Sequence, residues 1–374
     1  MIPGPTNIPW KVLQAMAKPI INHRGDEFHR LYDEIQEGLK YIFRTKNDVL
    51  PLTASGTGAA ECAVYNFVNE DSKVLIPVNG EFAERLAVSV ERVGGKPIRM
   101  GIPYGEAPTV ENVKAALELE RDIDSFFLVH NETSTGVTAR DLKEIAGLCR
   151  KKGILVVVDA ISDLCGEDIE NDEWGVNVCF TASQKCLAAP PGLSLISIDE
   201  DAWKRIAKRK SRTFYFDLAR IRGYHERRET PYTPSVPLFY ALDEALKIVR
   251  EESYEQRIER HKICGQALYS AIDAFGLKVF PKDVRYRSNT VLVIRVPGEI
   301  DNDRLRRTMR ERHGVVVADG MGKLKGETFR IGSMGTVSRR ELILTVSALG
   351  YALGQQGLRT NVGSALIAIE SVLH

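Results

Sequence analysis

The sequence predicts an α/β fold: a mainly parallel sheet in a large domain, followed by a smaller α+β C-terminal domain. Three observations carry this. Between residues 49 and 158 short apolar runs alternate with amphipathic stretches, the rhythm of right-handed βαβ crossovers. The run 154–158, Ile-Leu-Val-Val-Val, is unbroken and rich in β-branched residues, as in a strand buried on both faces of a parallel sheet. Beyond residue 276 short strand-like segments and helices follow each other without that rhythm.

Taken in order, residues 1–20 hold prolines at 3, 5, 9 and 19, so an extended arm is expected there. A helix over 27–43 puts Phe28, Leu31, Ile35 and Leu39 on one stripe. Strand–helix pairs are expected at 49–54 and 58–69, 74–78 and 81–93, 97–100 and 110–119, and 126–130 and 142–152. The strand at 154–158 closes that series, and 178–182 follows. The run 193–198 comes too soon after it for a helical crossover and is expected to lie antiparallel. Residues 203–232 read as an Arg-rich, aromatic loop region whose cations are either a solvated surface or a frame for the site entrance. A long helix over 236–274 leads to the second domain. There strands at 277–280, 290–296, 315–317 and 328–331 accompany helices at 301–313, 338–353 and 362–373. The expected division is an arm (1–20), a large domain (21–250) and a small domain (251–374).

Charge and cysteine usage narrow the function. Fifty-one Lys and Arg against 50 Asp and Glu leave a net charge of +1 over 374 residues, which gives no pull toward nucleic acid or an anionic membrane. Six cysteines (62, 149, 165, 179, 186, 264) are scattered without a C-x-x-C pair, which reads as buried free thiols of a reducing cytosol with no metal site. No apolar run reaches membrane-span length and the opening residues show no signal-peptide pattern, so a cytoplasmic location is expected.

Candidate chemistry gathers at strand ends. In open α/β sheets ligands sit at the carboxyl ends of strands. Asp159 ends the run 154–158, and Ser183-Gln184-Lys185 ends the next strand. An acid and an amine from one sheet edge suit pyridoxal 5′-phosphate, which takes a lysine at its aldehyde and a carboxylate at its ring nitrogen. Singly, such an Asp also caps turns and such a Lys is also a solvated surface residue. Ser55-Gly56-Thr57-Gly58 lies at a strand-to-helix turn, where open N–H groups and two hydroxyls make a phosphate cup or a plain tight turn. Neither the dinucleotide fingerprint nor the P-loop is present. Asn79-Gly80-Glu81-Phe82 offers an aromatic ring for stacking or for the core, and His130 to Gly136 offers a dense set of hydroxyls.

The strings PGPTNIP, ASGTGAAE, VNGEFAERL, ETSTGV, VVDAIS, SQKCLAAPPGLSLIS, TPYTPSVPLFYAL and ETFRIGSMG span nearly the whole chain. Together they resemble class V aminotransferases of pyridoxal-phosphate fold type I, the alanine–glyoxylate and serine–pyruvate branch. The resemblance implies a mainly parallel seven-stranded sheet, with Lys185 as the Schiff-base lysine and Asp159 as partner of the ring nitrogen. Ser55, Gly56, Thr57 and Gln184 match phosphate-binding positions, Thr133 a hydroxyl near the ring oxygen, Ile161 the residue under the ring and Phe82 the stacking residue. Thr233 matches a phosphate ligand donated by the neighbouring subunit, which implies a homodimer with shared sites. Arg330 matches the residue that grips the substrate carboxylate, and Gly4 a substrate-binding position.

Two positions depart from the pattern: Thr230 stands where mammalian members put a Tyr on the partner's phosphate, and Asp163 stands where Ser is common. The implied reaction moves an amino group from an amino acid, alanine or serine, to a 2-oxo acid, glyoxylate or pyruvate. Alternatives are 2-aminoethylphosphonate–pyruvate or aspartate transamination, and cysteine desulfuration. Gln184 and Phe82 hold the places where desulfurases carry histidines.

Overall fold

A computed structural model describes residues 1–373; His374, the last residue of the expected small domain, lies outside the described residues. The arm is not wholly extended. Pro9 supplies a fixed φ of −57° and a carbonyl for the N–H groups of Val12 and Leu13, so a short α1 (Trp10–Ala15) forms behind it. Then α2 (Asp26–Phe43) buries Phe28, Leu31, Ile35 and Leu39 as their spacing predicts.

The alternating segments follow as β1 (Asp48–Leu52), α3 (Gly56–Phe67), β2 (Lys73–Val78), α4 (Glu81–Arg92), β3 (Lys96–Gly101), α5 (Val110–Leu119) and β4 (Ile123–Val129). A two-residue hairpin, β5 (Asn131–Glu132) and β6 (Val137–Thr138), precedes α6 (Leu142–Lys151), β7 (Leu155–Asp159), α7 (Asn171–Trp174), β8 (Val178–Ala182) and β9 (Ser194–Ile198). The seven-stranded sheet has the order β1-β9-β8-β7-β4-β2-β3. Every pairing is parallel except those of β9, which runs against both β8 and β1. The apolar run is buried on both faces: Val156 and Val158 belong to the core on one side, Leu155 and Val157 to the core on the other.

Residues 203–232 are more ordered than expected. They carry most of α8 (Glu200–Ala207) and all of α9 (Leu218–His225), capped by Asp199 and Asp217, which accept from the N–H groups of Ala202 and Arg220. The single long helix is two, α10 (Val236–Glu252) and α11 (Tyr254–Ala274). Ser253 between them has φ +69° and its hydroxyl accepts the Gln256 N–H at 3.2 Å, ending one helix and capping the next.

The second sheet holds three antiparallel strands in the order β10-β12-β11: β10 (Val291–Arg295), β11 (Ala318–Asp319) and β12 (Thr328–Gly332). It has its own apolar core with α12 (Asn302–His313), α13 (Arg339–Gly354) and α14 (Val362–Leu373). The expected strands at 277–280 and 315–317 do not form. The first makes a lone bridge, Val279 to Ile294, and the ladder beside β12 begins at Ala318. All six cysteines are buried and free.

Candidate active site

Because β1, β2, β4, β7 and β8 all point the same way, the loops after them meet at one edge of the sheet. There a cavity of about 200 Å³ is lined by Ser55, Gly56, Thr57, Phe82, Asp159, Ile161, Gln184 and Lys185. Ser55 caps α3, accepting the Gly58 N–H at 3.4 Å, and the Ser55 and Thr57 hydroxyls stand exposed at the helix start. Gly56 is the close-packing point: a Cβ there would lie 2.8 Å from Ile161 Cδ1.

Asp159 ends β7 and is 8% exposed. Its Oδ1 accepts the Ile161 N–H at 2.9 Å, and no cation pairs with it among the described residues. Burial raises this carboxyl to about 7; the Ile161 N–H works against the rise, while Asp163 and Glu132 add to it. Lys185 is lowered to about 8, by burial first and by the charge of Arg330 as well. Its Nζ donates to the carbonyl of Pro3 at 2.5 Å. The N-terminal arm lies across it: a Cβ on Gly4, whose φ is +90°, would sit 2.5–2.8 Å from the lysine's outer atoms. Gln184 contributes a buried Oε1 that finds no partner among the described residues.

Arg330, on β12, faces the same region from the small sheet. Its Nε donates to the carbonyl of Asp319 at 2.7 Å and its Nη1 reaches the carbonyl of Thr133 at 3.5 Å. Burial holds its pKa below the ordinary value. Thr133 is buried beneath this contact. Thr233 is exposed and lies outside the cavity, in a surface recess with Thr53, Thr230 and Tyr232. None of residues 205–228 lines the cavity.

Sequence reasoning missed Glu132. It is 0% exposed and accepts from the N–H groups of Phe82 and Ala83 and from Ser134, N–H and hydroxyl both. It thereby caps α4 from another loop and fixes the helix that carries Phe82. Burial raises its carboxyl, and the four donors work against the rise. The only signal was a carboxylate inside a loop of hydroxyls.

The family described as Aminotransferase class-V matches residues 3–329. An uncharacterized aminotransferase of Methanocaldococcus jannaschii is 39% identical over 375 residues, taking in 100% of this chain and 97% of its own. The chain belongs to the class V aminotransferases. The alanine–glyoxylate aminotransferase of Drosophila melanogaster is 32% identical over 372 residues, 97% of this chain and 94% of that one. The crystal structure of ureidoglycine–glyoxylate aminotransferase from Bacillus subtilis superposes with a TM-score of 0.94 at 29% identity, covering 100% of this chain and 97% of that one. This aminotransferase thus has fold type I and the transaminase activity of its pyridoxal-phosphate-dependent family. No helix among the described residues is long and apolar enough to cross a membrane, and no cluster among them could hold a metal ion.

Proposed function

We propose that this aminotransferase binds pyridoxal 5′-phosphate in the cavity between Asp159 and Lys185 and moves an amino group from alanine or serine to glyoxylate or pyruvate. One observation carries the reading: a buried carboxylate with no cation and a buried amine line one cavity that also holds the start of α3. Asp159 fits a protonated ring nitrogen, because a cation there removes the cost that burial places on its charge. Ser55, Gly56, Thr57 and the unpartnered Gln184 fit the phosphate at the opposite end.

Bound there, the cofactor supplies an electron sink for charge developing at the amino acid's Cα. Lys185 anchors the cofactor and, once released, carries the proton at Cα; a lowered pKa of about 8 makes its amine an available base near neutral pH. With the cofactor bound, Arg330 would hold the substrate carboxylate with Gly4 alongside, Phe82 would stack against the ring, Ile161 would pack against it, and Thr133 would offer its hydroxyl to the ring oxygen. Thr233, exposed, serves the neighbouring copy in a homodimer. The Drosophila and Bacillus proteins are both named as glyoxylate aminotransferases, which supports glyoxylate as acceptor.

A dicarboxylate donor such as aspartate is the second reading. Arg85 favours it: its guanidinium lies 4.9 Å from the Phe82 ring centroid in the cavity wall and pairs with no carboxylate among the described residues. The test mixes the cofactor-loaded protein with alanine, serine, aspartate or 2-aminoethylphosphonate and follows conversion of the pyridoxal to the pyridoxamine form. Alanine or serine is expected to convert it and glyoxylate to restore it; conversion by aspartate alone supports the second reading, and inertness to all four refutes both. In Lys185→Ala the borohydride-reducible protein adduct is expected to vanish.

A further inference from the structure

Four acids crowd the sheet edge beneath the cavity: Asp159, Glu132, Asp163 and Glu167, each less than a tenth exposed. Glu132 is bound by neutral donors. Glu167 faces Arg140 at 3.1 Å and accepts from the Asn289 backbone and amide at 2.8 Å. Asp159 looks into the cavity. Asp163 has His130 alone: its Oδ2 meets His130 Nδ1, and its Oδ1 is buried without a partner among the described residues.

The pair is tied to Asp159 through the backbone. His130 is 2% exposed and its N–H donates to the Asp159 carbonyl at 2.9 Å. The Leu164 N–H donates to the Ala160 carbonyl at 3.1 Å, so Asp163 sits on the turn that leaves Asp159. Two neighbouring buried carboxylates compete for one proton unless a cation cancels one of them. Asp163 bears on Asp159 in this way, and also on Glu167, Cys179 and Cys186. The charge of His130 is felt by Glu167 and Asp168 as well. Arg140 is engaged with Glu167, and Lys185 and Arg330 lie on the cavity side, which leaves His130 as the basic side chain in contact with Asp163.

We propose that His130 and Asp163 form an imidazolium–carboxylate pair that cancels the charge of Asp163 beside Asp159, the one carboxylate that lines the cavity. His130 is then a positioning residue for the cofactor, an inference that rests on the cofactor reading above.

The test uses the full chain with and without pyridoxal phosphate. Nitrogen-15 spectra of histidine-labelled protein without cofactor, assigned with His130→Asn, are expected to show both His130 ring nitrogens protonated; a singly protonated ring overturns the proposal. His130→Asn is expected to raise the dissociation constant for pyridoxal phosphate about tenfold or more, one pKa unit of uncompensated interaction. His130→Asn with Asp163→Asn is expected to return it to within about threefold of the starting value, because the charge is removed with its partner. A double variant as weak as His130→Asn, or a His130→Asn protein that binds as the starting chain does, refutes the pairing. Asp163→Ser, should His130→Asn fail to fold, is expected to leave affinity within about threefold and the ring singly protonated. If the starting chain takes up no pyridoxal phosphate the cofactor reading falls, while the spectrum of the free protein still decides the pair.

Discussion

Asp159 is the residue at which function and stability pull apart. Its carboxyl is raised from 3.8 to about 7 in the folded chain, so the fold holds that proton more tightly than the unfolded state does. The resulting stabilisation is complete below the unfolded value and is lost as pH climbs through about 7. Above that, keeping the charge buried costs roughly 3–5 kcal/mol at about 1.4 kcal/mol per unit. Asp159→Asn is therefore expected to make the cofactor-free protein more stable than the starting chain, with a larger margin at pH 8 than at pH 5. Urea denaturation at the two pH values checks this, and cofactor affinity is expected to fall in the same variant. Asp159 and Lys185 were legible because each follows an apolar strand. Glu132 and the His130–Asp163 pair were not, since their meaning lies in partners 49 and 33 residues away that no local spacing announces.

At the level of elements, α4 depends on a cap that its own segment does not contain. Gly80 precedes it and offers no side chain, so the Phe82 and Ala83 N–H groups go to Glu132. Glu132→Gln turns an amide NH₂ toward those donors and is expected to destabilise the fold by about 1–3 kcal/mol, the cost of leaving buried groups unsatisfied. Denaturant unfolding measures the loss, and hydrogen exchange should quicken first at the start of α4. The parallel strands and long helices were readable from periodicity, whereas element ends were not. Ser253 sits inside a continuing amphipathic pattern, yet its hydroxyl and Gln256 three residues on form the start of a new helix. Likewise Asp199, just before the Arg-rich segment, and Asp217, inside it, are the caps of α8 and α9, while the arginines there drew attention to charge instead.

Across the whole molecule, two sheets and an arm meet around Lys185. Lys185 comes from the seven-stranded sheet, Arg330 from the three-stranded one, and Gly4 from the arm, which is pinned to both through the Gly332 N–H to Met1 carbonyl bond and the Thr6 N–H to Gln184 carbonyl bond. Arg330→Lys keeps the charge and loses the fork, so KM for the amino donor is expected to rise about 10- to 100-fold with cofactor affinity unchanged. Steady-state kinetics beside a cofactor titration checks that split. Fold class and sheet direction were readable because they follow from period and run length; the meeting of distant parts was carried only by likeness to a family. The reversed strand β9 has a metrical effect. Lying between β1 and β8, it sets their like-directed ends two strand spacings apart, about 10 Å. The sheet so becomes a ruler: the start of α3 stands two marks from Lys185, and Asp159 one mark beyond.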